Sequence, residues 1–405
     1  MRVFWITTSL PHPAGSAGCA LEFDLIAAQA ARHEVHVLST QLHDPLGDGA
    51  LRDIGVPYVP VPCVVEPHPT SKLGVARVLL RADPSVRVWL ERDRIPALVR
   101  AVAEVGAEVG PPDVVQITHG ELAPVAAELD VPTALLLFDA NTRALESQRE
   151  VEPLARRRLQ LTVEARRMRA YERRWYQAPT VLASNSATDA AWTSELVGRP
   201  VATLDNPIAP RFLEPPGVPR STDTVALVAS LVHEPNADAV RWLATEIWPH
   251  VVAARPSARL VVAGRGDPGG HAEGRLRPVV EAAGGQLLVD LDDVRPVYWE
   301  AAVAVAPVRQ GAGVRNKVLH AMACGAPVVA TRLAVEGIRP DVVSAAVVAP
   351  DDAAAFAQAI LALLDDPTAA TRAATAVAAL APLRIETIAA AHDAWWRAAA
   401  GPVGS

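Results

Sequence analysis

The residues with the most chemistry in this 405-residue chain lie in VAVAPVRQGAGVRNKVLHAMACGAPVVATRLAVEGI, from Val303 to Ile338. An apolar run breaks at Gly311-Ala312-Gly313, resumes as a helix-compatible segment from Arg315 to Ala323, and passes through Gly325 and Pro327 into Val328-Val329-Ala330. Strand, glycine turn, helix, turn and strand is the expected order. A turn with two glycines brings bare backbone close to a ligand, and the following helix aims unpaired N–H groups and its positive dipole end at the same place. Arg315 and Lys317 in its first turn oppose that dipole, at a cost of about 0.3–1 kcal/mol each, unless an anion intervenes. Of 38 basic residues only Lys72 and Lys317 are lysine, so an Arg-writing chain keeps a compact ammonium here, suited to a point contact with phosphate.

Those residues need elements to position them, and the chain supplies two rounds of strand–helix alternation. Its length fits two domains, and half the residues are apolar, enough for sizeable cores. The first round opens with a strand at 1–6, a loop holding His12, Gly15 and Gly18, a helix over 20–32 and a strand at 34–39. Strands then follow at 113–117 and 131–138. His119 and Asp139 stand at their carboxyl ends, where open α/β sheets bind ligands; a polar loop residue or helix cap is the plain alternative for each. Residues 56–69 are Pro-rich and 70–93 lack a clean period. The Pro-rich stretch 210–223 reads as a linker between a first domain (1–209) and a second (224–385), and the terminal helix (386–405) is expected to pack back on the first domain. The fold class is α/β: two Rossmann-like, doubly wound parallel-sheet domains facing across a cleft.

Between Glu150 and Gln177 a long amphipathic helix is expected, with Leu154, Leu161, Met168, Tyr171 and Trp175 on one stripe and eight arginines elsewhere. Glu152, Glu164 and Glu172 interleave with the arginines. Two readings stay open: a solvated, salt-bridged face, or peripheral contact with an anionic membrane surface or substrate.

A net charge of −7 argues against general nucleic-acid binding. Cys19, Cys63 and Cys324 are far apart and odd in number, which favours neither a disulfide framework nor a Cys-rich metal site and points to a reducing, cytoplasmic setting. No run of 18 or more apolar residues occurs, so no transmembrane segment is expected. Neither domain shows G-x-G-x-x-G with an acidic residue about 20 positions on, which disfavours a nicotinamide dehydrogenase.

The second domain resembles the retaining group 1 (family 4-like) glycosyltransferases of the GT-B fold. The likeness is carried by SLVHEPNADAVRWL from Ser230, by Val261-Val262-Ala263-Gly264-Arg265, by Asp293-Val294-Arg295-Pro296-Val297-Tyr298, and above all by Ala306 to Thr331. It implies metal-independent transfer of a sugar from a nucleoside-diphosphate sugar, with retained configuration and no cofactor, to an acceptor the sequence does not name. It further implies that Gly311, Ala312, Gly313, Val314, Arg315 and Lys317 hold the diphosphate. Gly264, Arg265 and Val294 would lie near the base, and Glu336 near the sugar. More loosely, His12, Gly15 and Gly18 fall on the acceptor side, with His119 and Asp139 as groups that orient the acceptor. The family often carries two glutamates, near the transferred sugar and on the ribose; here those positions are Ala312 and His320. That departure keeps two other classes in view: a nucleotide-sugar epimerase or hydrolase of the same fold, and a non-catalytic partner subunit that binds sugar nucleotide. Oligomeric state is left open.

Overall fold

The computed structural model describes residues 1–41, 45–63, 93–266, 271–311 and 313–401. Ala312, Lys72 and residues 64–92, which hold part of the 56–69 stretch and nearly all of the 70–93 stretch, lie outside the described residues. The chain divides into two compact units: Met1–Asp205 with Gly311–Gly313 and Glu386–Ser405, and Asn206–Gln310 with Val314–Ile385.

The first unit runs β1 (Arg2–Thr7), α1 (Ala17–Ala30), β2 (Glu34–Ser39), α2 (Pro45–Asp53), β3 (Tyr58–Pro60), α3 (Arg94–Val109), β4 (Val114–Thr118), β5 (Thr133–Leu137), α4 (Asn141–Val151), α5 (Ala155–Trp175), β6 (Val181–Ser184), α6 (Ala187–Val197) and β7 (Ala202–Thr203). Its strands form a parallel sheet in the order β3-β2-β1-β4-β5-β6-β7. Val3 to Thr7, Val114 to Thr118 and Thr133 to Leu137 are buried without interruption, as strands covered on both faces must be.

The second unit runs β8 (Thr224–Val228), α7 (Glu234–Trp242), α8 (Trp248–Ala254), β9 (Arg259–Gly264), α9 (His271–Ala282), β10 (Gln286–Val289), α10 (Arg295–Glu300), β11 (Val303–Ala306), α11 (Asn316–Ala323), β12 (Val328–Thr331), α12 (Pro340–Val343), β13 (Val347–Ala349), α13 (Ala353–Leu364) and α14 (Ala369–Ala379). Its parallel sheet reads β10-β9-β8-β11-β12-β13. Both units are doubly wound, and in each the strand order reverses once, between β1 and β4 and between β8 and β11. A crevice opens outside the carboxyl ends of the strands at such a switch point.

The last helix, α15 (Ile385–Ala400), packs on the sheet of the first unit. Trp396 Nε1 donates to Gln116 Oε1 at 2.7 Å, its ring meets Trp5 edge-on at 6.1 Å, and Gln29 Nε2 donates to the carbonyl of Ala389 at 2.9 Å. The buried Asp393 pairs with His33 Nε2 at 2.8 Å and with Arg32.

Three expectations are corrected by the structure. The helix read over 150–177 is two helices, because Pro153 cannot continue α4 and pushes Glu152 into an extended conformation (ψ 116°). Leu154 is therefore 67% exposed at the turn and leaves the core stripe, which is Leu161, Ala165, Met168 and the carboxyl-bearing Glu172. Residues 236–254, which from their sequence read as one helix, are interrupted by a π-turn, Leu243–Ile247, just before Pro249, whose missing N–H would break the ladder; the wider turn takes up the fault. Helix α1 begins at Ala17 rather than Ala20, with Ser16 Oγ accepting from Cys19 N at 3.3 Å, so Gly18 sits in a helical turn and not in the preceding loop.

Candidate functional site

Each unit presents its candidate residues along the carboxyl edge of its sheet. In the second unit the crevice lies between β8 and β11, and α11 starts beside it. Arg315 is the N-cap of α11 without a side-chain capping bond, and the first turn holds no acidic residue. Lys317, half-buried, donates from Nζ to Asn236 Oδ1 at 2.5 Å, while Asn236 Nδ2 donates to the carbonyl of Ser230 at 2.7 Å. Asn236 thus ties the ammonium to the loop after β8. Burial lowers the Lys317 pKa to about 7, and the nearby Arg315 charge adds to the effect. An ammonium so placed carries a proton whose retention is favoured by a neighbouring anion.

The surrounding contacts hold this arrangement. Asn206 Nδ2 donates to Asn316 Oδ1 at 2.8 Å at the start of α11, and Tyr298 Oη to the Lys317 carbonyl at 3.4 Å. Arg309, in the loop after β11, pairs with Asp238 at 2.9 Å and lies 4.7 Å from the Trp242 ring centre. Thr331 Oγ1, at the end of β12, donates to the Val308 carbonyl at 2.5 Å and accepts from Ala334 N at 3.2 Å, joining the loops after β11 and β12.

Gly264 ends β9 with φ 148°, and a Cβ there would fall inside the carbonyl oxygen of Ala229. Only glycine allows the β8 and β9 loops to approach so closely. Arg265, exposed, accepts at its carbonyl from Leu231 N at 2.7 Å. Val294 is the N-cap of α10, where Asp293 Oδ1 accepts from Arg295 N at 2.9 Å. Glu336, half-buried, follows a short turn after β12, and Val314 is half-buried ahead of α11.

His320 lies one turn into α11 from Lys317 and stacks on Phe212, with ring centres 3.9 Å apart and planes at 8°. Burial pulls its pKa down to about 3, with the Arg211 charge second. The ring is neutral at physiological pH.

In the first unit His12 follows β1 and is buried, His119 follows β4, and Asp139 follows β5 and is exposed. His119 adopts φ 77° and meets Phe138 edge-on at 5.3 Å. Gly15 turns back on His12, its N–H donating to the His12 carbonyl at 3.1 Å, and Cys19 Sγ occupies the space of a Cβ. Gly311 and Gly313 group with this unit: Gly311 N donates to Ser147 Oγ at 3.4 Å, and a Cβ on Gly313 (φ 82°) would fall inside Asp139 Oδ1. The buried Glu172 accepts from Thr142 Oγ1 at 2.6 Å and Thr142 N at 3.3 Å, capping the helix that follows Asp139; burial raises its pKa to about 7 against those bonds.

The structure therefore brings Lys317 into direct contact with a partner, sets Gly264, Arg265, Val314, Arg315 and Glu336 along the same edge, and places His320 under Phe212. Asn236, Asp238, Arg309, Arg211 and Phe212 were not singled out from the sequence. A signal existed for four of them: Asn236 and Asp238 stand in the Pro-Asn segment and Arg309 in the Ala306–Thr331 stretch that carried the family resemblance, and Phe212 is the sole aromatic of the Pro-rich stretch. Two concavities, about 650 Å³ beside Arg2, His33 and Asp113 and about 530 Å³ beside Arg259, Gly285 and Glu300, border the amino ends of strands. Among the described residues no group of three or more His, Cys, Asp or Glu could hold a metal ion, the three cysteines are free, and no helix is long and apolar enough to cross a membrane.

Residues 222–366 match the family described as glycosyl transferases group 1. No curated protein matches the chain in sequence. Among solved structures, a sucrose-phosphate synthase from Thermosynechococcus elongatus aligns with a TM-score of 0.68 at 16% identity, over 98% of each chain. Anabaena HepE in complex with UDP and glucose aligns at 0.65 and 16%, over 97% of this chain and 98% of the other. A glycosyltransferase from Rickettsia africae aligns at 0.66 and 10%, over 99% of each. At such identities the likeness concerns fold: the chain has the two Rossmann-like units of the GT-B glycosyltransferase architecture, with the group 1 match over residues 222–366.

Proposed function

We propose that the protein transfers a sugar from a nucleoside-diphosphate sugar to an acceptor hydroxyl, with retention of anomeric configuration and without a metal. The observation that carries this reading is the start of α11, where a helix end without a side-chain cap or an acid in its first turn is followed by the half-buried Lys317 at the switch point of the second sheet. A diphosphate there meets the helix dipole, backbone N–H groups from 313 to 317, and two cations. These fixed donors stabilise the charge that grows on the leaving diphosphate as the sugar becomes oxocarbenium-like. The departing phosphate oxygen takes the acceptor's proton on the same face, so no strong protein base is needed.

In this reading Gly264, Arg265 and Val294 border the base, Glu336 borders the sugar, and His119, Asp139 and His12 orient the acceptor. The test is a thermal-shift and calorimetric screen against UDP, GDP, ADP and TDP and their sugars, repeated with Lys317→Ala. One nucleotide diphosphate should bind, and the variant should lose it. A folded protein that binds none of them would overturn the proposal.

A second reading, binding of sugar nucleotide without transfer, draws on one observation: an imidazole at 320, its pKa lowered by burial, stacks under Phe212 where the family resemblance implies a carboxylate. His320→Glu separates the two. A large gain in turnover would favour a decayed enzyme, whereas a loss would assign His320 a positive role. Turnover of donor to an isomeric or free sugar without acceptor would instead indicate an epimerase or hydrolase.

A further inference from the structure

Helix α5 buries one face, Leu161, Ala165, Met168 and Glu172, against the first unit. At 3.6 residues per turn the opposite face carries Arg156, Leu159, Val163, Arg166, Ala170, Arg173 and Arg174, all exposed. Leu159 is 67% exposed and Val163 36%, and Leu154 at the preceding turn is 67% exposed, three large aliphatic side chains within ten residues. The interleaved glutamates do not neutralise this face. Glu172 is buried on the core side, Glu164 lies on the flank with Gln160 at 2.9 Å and Arg157 at 3.9 Å, and Glu152 sits in the turn, its side chain accepting from Leu154 N at 2.9 Å. The carboxyl half of α5 is tied to its own unit through Tyr171 to the Glu121 carbonyl at 2.8 Å and Arg173 to the Leu196 carbonyl at 3.4 Å. Arg158 bonds the Glu152 carbonyl at 2.8 Å, within the α4–α5 hairpin.

We propose that this outer face of α5 docks on an anionic lipid bilayer. Its composition selects that partner. Arginines rim the face without an intervening acid, which matches a negative surface, and the exposed Leu159 and Val163 toward its amino end are suited to burial at the headgroup–acyl boundary. A polyanion such as nucleic acid would satisfy the arginines and leave Leu159 and Val163 in water. The net charge of −7 makes a local cationic face the means by which this chain approaches an anionic surface at all.

The test is flotation of the full chain with phosphatidylcholine vesicles containing 30 mol% phosphatidylglycerol, against pure phosphatidylcholine, using Arg156→Glu/Arg166→Glu and Leu159→Ser/Val163→Ser. All four side chains are exposed, so both variants should melt as the parent does. Binding to the anionic vesicles is expected, with a loss of at least tenfold on charge reversal and about threefold or more on the aliphatic exchange. Absence of vesicle binding, or binding that ignores both variants, overturns the proposal. So does binding that follows the charges alone, which would assign the face to an acidic protein or another polyanion. The readout needs no sugar donor and stands apart from the transfer reading.

Discussion

The two carboxyl edges have the same topology and opposite electrostatic finish. In the first unit three helices that leave the edge are capped from within: Ser16 caps α1, Glu172 accepts from Thr142 at the start of α4, and Ser186 Oγ accepts from Asp189 N at 3.1 Å at the start of α6. Asp189 adds a carboxylate to that last turn and pairs with Arg143 at 2.7 Å. In the second unit α11 has Arg315 at its N-cap, no side-chain cap and Lys317 in its first turn. At these starts the first edge satisfies its helix ends with its own side chains, as Asp352 Oδ1 does for α13 of the second unit, whereas the start of α11 carries cations instead. That difference at α11 is why the proposed diphosphate site is set on the second edge.

The comparison breaks first at its glycines. Gly264→Ala should destabilise the second unit by about 3 kcal/mol, because the new Cβ meets a backbone carbonyl that has no rotamer to escape into and φ is already unfavourable for an L side chain. Chemical denaturation of the full chain reads this, and a change below ~1 kcal/mol would show that the β8 and β9 loops part easily. Next in size is Lys317→Ala, expected to weaken nucleotide-diphosphate binding 10- to 100-fold, the worth of a charge-assisted bond of about 1.5–3 kcal/mol. Its pH dependence has a definite sign. The free ammonium loses its proton near pH 7, and a bound diphosphate holds it, so affinity should be greatest below pH 7 and fall by up to about tenfold per pH unit above it. Calorimetry with a nucleotide sugar between pH 6 and 9 measures it, and a flat profile would remove Lys317 from the phosphate.

Much of this architecture is legible in the sequence because buried parallel strands are close to continuously apolar, and Val3 to Ile6, Ala134 to Leu137 and Val303 to Ala306 are so written. The Gly311–Lys317 turn is legible for a related reason: glycine, Arg and Lys at that spacing have a local physical cause. What escapes is set by distance along the chain. Asn236 reaches Lys317 across 81 positions, and nothing near either residue announces the other. Phe212 falls in a stretch with no period, where only packing shows that it covers His320. Pro153 and Pro249 were read through because a proline fits the first turn of a helix as readily as it breaks one, and apolar spacing alone does not say which.

Two smaller effects sharpen the contrast on the first unit. Glu172 has a folded pKa near 7, above its ordinary value, so the folded state holds its proton where the unfolded chain has released it. Stability should therefore decline as pH rises from about 4.5 to 7 and level off above, by on the order of 2 kcal/mol. Glu172→Gln should flatten that part of the profile; if denaturation curves at pH 5 and 8 shift equally for parent and variant, the carboxyl does not carry the dependence.

Gly18 gives the smallest effect and the opposite sign to Gly264. It sits in the first turn of α1, where an added Cβ meets the Phe138 ring at an ordinary 3.7 Å and φ is not positive. Gly18→Ala then removes chain entropy from the unfolded state without strain in the folded one, and should stabilise the protein by about 0.5–1 kcal/mol. The reason for glycine at this edge is then not the close backbone approach seen at Gly264. Transfer, once a donor and acceptor are in hand, should change less than twofold in the same variant. A stable Gly18→Ala protein that has lost transfer would reverse this, placing a ligand within reach of the α1 start and making the two edges more alike than their capping implies.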